Sequence, residues 1–230
     1  AVAIFERMDI AGRLHRSRLQ LSQSFGQLGN YTAAKDLLTA AISAGQGDNY
    51  ALAQSNHDLG LLWQQQGKFM RADTSLSIAA SYYLDDPDPD YWGYADCIQT
   101  LATVKDELKD FRAATENYLA ALRLYSELED PGGIALAANN LGLAYVENRR
   151  TKLGFQYLQR GLNVAREAGL PRMEAQAYDH LGEYYLAVNR PREAVLSFQR
   201  AQEVLIPGYA ASELTSVPTK KQLNYTNEVI

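Results

Sequence analysis

The sequence has little cysteine and histidine, no excess of positive charge and no long apolar run. Its single cysteine, Cys97, excludes an internal disulfide and a cysteine-based zinc site, and we interpret it as a small, semi-buried helix residue. No apolar run approaches the roughly 20 residues that cross a bilayer, so we expect no membrane insertion. The net charge is −5, so the chain lacks the excess of basic residues that nucleic-acid-binding proteins carry. We therefore expect no nucleic-acid partner.

Catalytic and metal-binding patterns are also scarce. The three histidines, His15, His57 and His180, stand far apart, and none has a second histidine four residues later, as a helical zinc site would. No phosphate-binding loop, dinucleotide-binding turn or nucleophile elbow occurs. Asp179 and Glu183 share a helix face and could hold a cation, but a solvated acidic face is the better interpretation. We therefore predict a protein that is not an enzyme and uses no metal or cofactor.

What the chain does have is a small residue about every 40 positions. The steps between these anchors are 38, 42, 40 and 40 residues by subtraction. Three residues after the anchor comes an aromatic side chain in four of the five copies, and small and large residues alternate in phase at 12, 16 and 19 positions after it. Such regularity indicates an internal repeat. The five anchors are Ser22, Gly60, Ala102, Gly142 and Gly182.

Each copy is predicted to form two antiparallel helices of 14–18 residues. In the best-preserved copy, Gly60 and Ala72 remove side chains where the helices touch, so that Trp63 and Leu76 can fill the space beside them. Gly67 breaks the helical pattern between the two helices and suits a left-handed turn residue. No strand pattern competes, so the predicted fold class is all-α, an α-solenoid of five helix-turn-helix repeats.

Capping residues divide this solenoid into repeats. Asp48, Asp90 and Asp130 stand twelve residues before their anchors and suit the N-cap of a first helix, as Asp9 does one residue out of phase. Residues 1–8 are predicted to be the end of a preceding helix or an N-terminal cap. Residues 208–230 are predicted to be a tail or a cap, with Thr219 to Val229 as the helical part of that cap. Between them we predict one solenoid domain, 9–207, with repeats at about 9–47, 48–89, 90–129, 130–169 and 170–207.

These patterns resemble the tetratricopeptide repeat over about Asp9 to Leu205. The period near 40 is similar to that of the long-helix subtype, as in kinesin light chains and bacterial regulatory or sensor proteins. Departures are Lys105 in place of an aromatic residue, and Gly154 and Gly161 in place of alanine. The resemblance implies a right-handed superhelix whose concave wall is made by the first helix of each pair. It rests on Leu59, Gly60, Trp63, Gly67, Phe69, Ala72, Leu76 and Ala79, on Leu141, Gly142 and Tyr145, and on Leu181, Gly182, Tyr185, Ala194, Phe198 and Ala201.

Residues at fixed offsets from the anchors are predicted to line this concave groove. Its amide side chains can donate to and accept from a peptide backbone, and its leucines can hold apolar anchors. Its acidic positions in repeats three and five favour a partner with lysine or arginine there. The predicted groove residues are Arg16, Leu19, Gln23, Gln54, His57, Leu61, Gln64, Asp96, Gln99, Thr103, Asp106, Leu136, Asn139, Leu143, Gln176, Asp179 and Glu183.

The predicted function is therefore that of a non-enzymatic scaffold that binds a protein or peptide, as part of a larger regulatory or assembly protein in the cytoplasm. The resemblance also covers domains that hold chaperone C-terminal carboxylates, but Leu19, Gln23, His57 and Leu61 replace the lysine, asparagine and arginine of that clamp. Two alternatives stay open. One is a structural scaffold that self-associates into a homo-oligomer, and the other is a peptide-sensing domain that gates an attached effector.

Overall fold

The computed structural model describes the backbone of residues 2–206, 208 and 209, and the side chains from residue 10 onward. Over this part of the chain the structure contains ten α-helices and no strand, which confirms the predicted all-α class. Seven of the helices have 17 residues, within the predicted range. The helices are α1 (Val2–Gln27), α2 (Tyr31–Ala44), α3 (Asn49–Gln65), α4 (Phe69–Asp85), α5 (Tyr91–Glu107), α6 (Phe111–Glu127), α7 (Pro131–Glu147), α8 (Thr151–Glu167), α9 (Pro171–Ala187) and α10 (Pro191–Leu205).

The first helix differs from its prediction. α1 has 26 residues and passes through Asp9, so Asp9 is not an N-cap and residues 2–8 continue the first helix of repeat one. The physical reason is that no proline or glycine lies between Val2 and Asp9, and a lone aspartate does not stop a helix. The segment from Thr219 to Val229 lies outside the described residues.

The other N-caps agree with the sequence. The carboxylates of Asp48, Asp90 and Asp130 accept hydrogen bonds of 2.9 Å from backbone N–H groups in the first turns of α3, α5 and α7. These bonds satisfy donors that have no partner inside the helix. α9 begins instead with Pro171, which needs no N–H partner at that position.

A left-handed residue ends the first helix of every pair. It stands seven positions after each anchor, and its φ lies between 59° and 76°. Two of the five are glycines and three are not, so the backbone conformation is kept even where the side chain disfavours it. The five residues are Gly29, Gly67, Lys109, Arg149 and Asn189.

The predicted close approach of paired helices is confirmed at three anchors. A Cβ atom added at Gly60 would lie 2.6 Å from Cγ of Leu76, and one at Gly142 would lie 2.7 Å from Cγ of Leu158. At Gly182 the nearest atom, in Phe198, would be 2.4 Å away. Glycine at these anchors is therefore a packing requirement, since the large side chain of the second helix fills the space.

Cations rather than capping side chains begin the second helix in some repeats. Lys68 precedes α4 and makes no capping bond, but its Nζ lies 4.9 Å from the ring centre of Trp63. Arg190 precedes α10 and lies 5.1 Å from the ring centre of Tyr185 in the same way. In these two repeats the cation–π contact links the end of the first helix to the start of the second.

The chain divides into two compact units, Ala1–Asn117 and Tyr118–Ile230. In the first unit, one buried cluster joins α1, α2 and α3, and another joins α3, α4 and α5. Cys97 belongs to the latter, is fully buried, and donates from Sγ to the carbonyl of Leu76 at 3.3 Å. Burial raises the pKa of this thiol to about 12, which makes it a packing residue. In the second unit, a buried cluster joins α7, α8 and α9.

Candidate partner-binding surface

First helices lie side by side within each unit. α3 packs between α1 and α5 in Ala1–Asn117, and α7 packs beside α9 in Tyr118–Ile230. Every predicted groove residue lies on one of these five helices. The face they share in each unit is called the first-helix face below, and it consists of the predicted groove residues that keep solvent exposure.

Most predicted groove residues keep such exposure, but three do not. Leu19, Gln99 and Asn139 retain 8%, 4% and 0% of their exposure, so they lie in the interior and do not line a surface. Exposed are Arg16, Gln23, Asp96, Asp179 and Glu183. Half-buried are Gln54, His57, Leu61, Gln64, Thr103, Asp106, Leu136, Leu143 and Gln176.

Packing explains two of the three buried positions. Leu19 belongs to the cluster of Leu38 and Leu62, because its face of α1 turns toward α2 and α3. Asn139 connects helices: its Nδ2 donates to the carbonyl of Met173 in α9 at 3.1 Å. Its Oδ1 lies where a Cβ of Gly161 would be, 2.0 Å from that position. The glycine at position 161, a departure from the repeat pattern, therefore makes room for Asn139.

Polar side chains of the first unit also bond between neighbouring first helices. Gln23 of α1 donates from Nε2 to both carboxylate oxygens of Asp58 in α3, each at 3.3 Å. His57 of α3 lies 3.5 Å from the hydroxyl of Thr100 in α5. Burial lowers the pKa of His57, while the nearby carboxylate of Asp96 raises it to a smaller extent. These contacts connect neighbouring first helices.

A cavity of about 200 Å³ opens between α1 and α3. It contains Asp58, a residue that lies two positions before its anchor and was not among the predicted groove residues. Burial raises the pKa of the Asp58 carboxyl to about 6, against the smaller opposing effect of the Gln23 hydrogen bond. The cavity is lined by Ser22, Gln23, Gly26, Gln27, Leu38, Asp58, Leu61, Leu62 and Gln65.

The second unit has an acidic first-helix face. Asp179 and Glu183 lie one turn apart on α9, and both are exposed. Partial burial raises the pKa of each carboxyl, and the charge of Asp179 raises that of Glu183 further. Beside them, Gln176 donates from Nε2 to Oδ1 of Asn140 in α7 at 3.1 Å. The face therefore carries two carboxylates that a cation would stabilise.

Another histidine on these helices is His180, which follows Asp179 on α9. His180 is half-buried, its pKa is lowered to about 4 by burial, and it bonds to the backbone of Asn139. Among the described residues, no three His, Cys, Asp or Glu side chains converge in a way that could hold a metal ion.

Of the described helices, none is both long and apolar enough to cross a bilayer.

Comparison with known proteins identifies the repeat. Residues 15–44 and residues 133–206 match two profiles of the tetratricopeptide repeat. Together with the paired helices, this defines the class as an all-α helical-repeat solenoid. Both matched stretches are tetratricopeptide repeats, as the sequence pattern predicted. No curated protein sequence matches the chain significantly.

Several solved structures share the fold at low sequence identity. BtubC (BKLC) from P. vanneervenii is 19% identical, with a TM-score of 0.72 over 94% of this chain and 97% of that one. Aspartyl phosphate phosphatase F from Bacillus subtilis is 13% identical, with a TM-score of 0.72 over 88% of this chain and 54% of that one. A signal transduction ATPase with a tetratricopeptide repeat sensor, from Pyrococcus horikoshii, is 17% identical, with a TM-score of 0.71 over 83% of this chain and 29% of that one. At these identities the likeness is one of fold.

Proposed function

We propose that the chain is a protein- or peptide-binding scaffold module without a catalytic reaction of its own. Arrays of helix pairs present extended surfaces that suit this use, and His57 and His180 contact other residues of the fold. The fold alone does not define a partner, so the proposal depends on the side chains of the first-helix faces. Attachment to a larger regulatory or assembly protein and a cytoplasmic location stay predictions.

One observation carries the proposal: the first helices keep amides and leucines half-exposed beside each other while their other faces are buried. Gln23 and Gln64 can bond a peptide backbone in either direction, since an amide both donates and accepts. Leu61 lies one turn before Gln64 on α3 and is half-buried, so it can cover an apolar side chain of a partner. Such a mixed surface suits an extended peptide better than a small polar metabolite.

Charge selects the kind of peptide. Asp179 and Glu183 in the second unit, and Asp96 on α5 in the first, are exposed carboxylates on first helices. A partner that places lysine or arginine against them would lower the raised pKa values of Asp179 and Glu183 and gain affinity. We therefore propose that a partner segment bound to the first-helix face of either unit carries basic residues against that unit's carboxylates.

A displayed library of random peptides tests the proposal. Peptides that bind should be enriched in lysine and arginine, and the tightest one is then titrated calorimetrically. We expect the double variant Asp179→Lys with Glu183→Lys to weaken its binding by about tenfold or more, since attraction becomes repulsion. The matched control is Asp36→Lys with Glu116→Lys, which makes the same charge change on exposed positions of second helices.

The control should bind within about twofold of the parent chain, because salt screens exposed charges that do not contact the peptide. Equal losses in both double variants would show that only net charge matters and would overturn the assignment to the first-helix faces. Unchanged binding by the first-helix variant would overturn it as well. The variant Asn139→Ala would not test this surface, because the Asn139 side chain is buried between helices and its loss would change packing.

Self-association is a second candidate, and it rests on exposed aromatic side chains. Tyr91 and Trp92, in the first turn of α5, are 50% and 54% exposed. Large exposed aromatic residues are enriched at protein interfaces. Sedimentation velocity from 1 to about 500 μM should then show a dimer in the parent chain and a monomer in Trp92→Ser. This range brackets a micromolar Kd, which corresponds to about 8 kcal/mol of binding free energy. A parent chain that stays monomeric throughout would contradict this candidate.

A further inference from the structure

The cavity between α1 and α3 is lined by leucines on one side, by serine and glutamine side chains elsewhere, and by one ionisable group. Leu38 and Leu62 are buried and form its inner wall, and Leu61 is half-buried at its rim. At about 200 Å³ it is smaller than the roughly 300 Å³ at which small-molecule sites usually begin. Its size therefore fits a single inserted side chain.

Asp58 has an incomplete set of partners in this cavity. Its two carboxylate oxygens share one neutral donor, Nε2 of Gln23, at 3.3 Å each, which is the long end of the hydrogen-bond range. Over the described part of the chain, Asp58 forms no ion pair. Burial also raises the pKa of this carboxyl to about 6, so its ionised form is under-stabilised at neutral pH.

Gly26 keeps the cavity open. A Cβ added at Gly26 would lie 3.2 Å from Oε1 of Gln65 and 3.3 Å from Cδ1 of Leu62. The position is four residues after the anchor, where the next repeat carries the larger Gln64. A small residue at this point of repeat one therefore leaves space that a partner can enter.

We propose that this cavity binds a lysine or arginine side chain of a partner, with Asp58 as its counter-ion and Gln23 holding the carboxylate in place. This inference rests on the proposed function, since the inserted side chain belongs to a bound protein or peptide. The methylene groups of the side chain contact Leu61 and Leu62, and its cationic end forms a charge-assisted hydrogen bond with Asp58. The three leucines of the lining favour a long aliphatic cation over a small ion.

The first experiment uses n-butylammonium as the probe and n-butanol as the uncharged control, followed by NMR of the full chain. We expect n-butylammonium to shift the Gln23 side-chain amide and the Gly26 backbone amide in a saturable way at millimolar concentration, with about tenfold weaker effects from n-butanol. Equal effects from both probes, or no saturable shift up to about 100 mM n-butylammonium, would overturn the proposal.

Three variants separate the cavity from surface charge. Asp58→Asn removes the charge and keeps an acceptor for Gln23, and Gly26→Leu fills the cavity while leaving Asp58 in place. Both should weaken n-butylammonium binding at least tenfold, whereas the control Asp36→Asn, on the exposed face of α2, should bind like the parent. Binding that is lost in Asp58→Asn but retained in Gly26→Leu would show surface attraction only and would overturn the cavity site.

A peptide pair separates this inference from the proposed function. The tightest library peptide is compared with versions in which each lysine or arginine is replaced in turn by norleucine. At one peptide position, norleucine should strongly weaken binding to the parent chain but have little further effect on binding to Asp58→Asn. That position identifies the inserted lysine or arginine. If the peptide binds the first-helix faces and no replacement behaves in this way, the cavity proposal fails while the proposed function stands. If no peptide binds although n-butylammonium does, the proposed function fails instead.

Discussion

At the scale of single residues, tyrosine and glycine form matched pairs between successive repeats. A Cβ added at Gly133 in α7 would lie 2.1 Å from the ring of Tyr125, and one at Gly93 in α5 would lie 2.5 Å from the ring of Tyr83. Both glycines stand nine residues before their anchors, and both tyrosines stand 23 residues after theirs. Each large side chain thus packs where the following helix has none.

The Tyr125–Gly133 pair predicts a coupled stability effect. Gly133→Ala should lower the free energy of unfolding by about 1–3 kcal/mol, because the added methyl overlaps a fully enclosed ring. In the Tyr125→Ala background, Gly133→Ala should lower the free energy of unfolding much less, because the ring that it would overlap is absent. Urea unfolding of the four chains measures the coupling.

The control for this pair is Gly12→Ala, at a helical glycine with no atom within 4 Å of the added Cβ. It should be neutral or stabilising by up to about 1 kcal/mol, because alanine favours the helix. Equal losses from Gly133→Ala with and without Tyr125 would contradict the pairing.

Asp58 predicts a pH-dependent stability. Its pKa is raised from 3.8 to about 6 in the folded chain, so folding is favoured while the carboxyl is protonated. This contribution is fully present below pH 3.8 and is lost as the pH rises through about 6. Asp58→Asn should therefore be more stable than the parent at pH 7 by about 1–2 kcal/mol, less than full burial would give because solvent screens a half-buried group.

The difference between variant and parent, followed by urea unfolding from pH 4 to 8, isolates Asp58. Tyr83 of α4 also interacts with Asp58, but its pKa is raised well above its ordinary value, so it stays neutral in this range. Contributions from His15 and His57, whose pKa values are lowered by burial, are common to both chains and cancel. A difference that does not grow from pH 4 to pH 7 would contradict the assignment.

At the scale of helices and turns, the left-handed residue after each first helix is a repeated feature with unequal side chains. Arg149, at φ 61°, should be replaceable by glycine with a gain of about 0.5–1 kcal/mol, since the strain of an L-residue exceeds the added chain entropy. Gly67, at φ 67°, should lose about 1 kcal/mol as Gly67→Ala. Thermal unfolding measures the stability of Arg149→Gly and Gly67→Ala. If both variants shifted stability in the same direction, the strain assigned to the left-handed residue would be contradicted.

At the scale of the whole molecule, the repeat phase made most of the fold predictable. Residue types at fixed offsets predict the helix pairs, the glycine anchors, the three aspartate caps and the left-handed turns. They do so because every repeat packs its two helices together in the same arrangement. The start of α1 did not follow, because the N-cap pattern at Asp9 competes with a strong helical run before it.

The surface was less predictable, because it depends on neighbouring repeats rather than on one. Asn139 and His57 occupy the same position in their repeats, yet Asn139 is fully buried against Gly161 and His57 is half-exposed beside Thr100. The Asp58 cavity is lined in part by Gly26 on the preceding first helix. The small residue at Gly26, where the next repeat carries a larger one, is the sequence signal that could have indicated it.

The central claim is that partners bind the first-helix faces, and photo-crosslinking tests it most directly. A benzoylphenylalanine is placed at Gln64 or Leu143 on first helices, or at Lys35 or Lys152 on exposed positions of second helices. With the tightest library peptide, we predict efficient crosslinks from at least one of the two first-helix positions and background levels from Lys35 and Lys152. Crosslinks from Lys35 or Lys152 with none from Gln64 and Leu143 would contradict the claim.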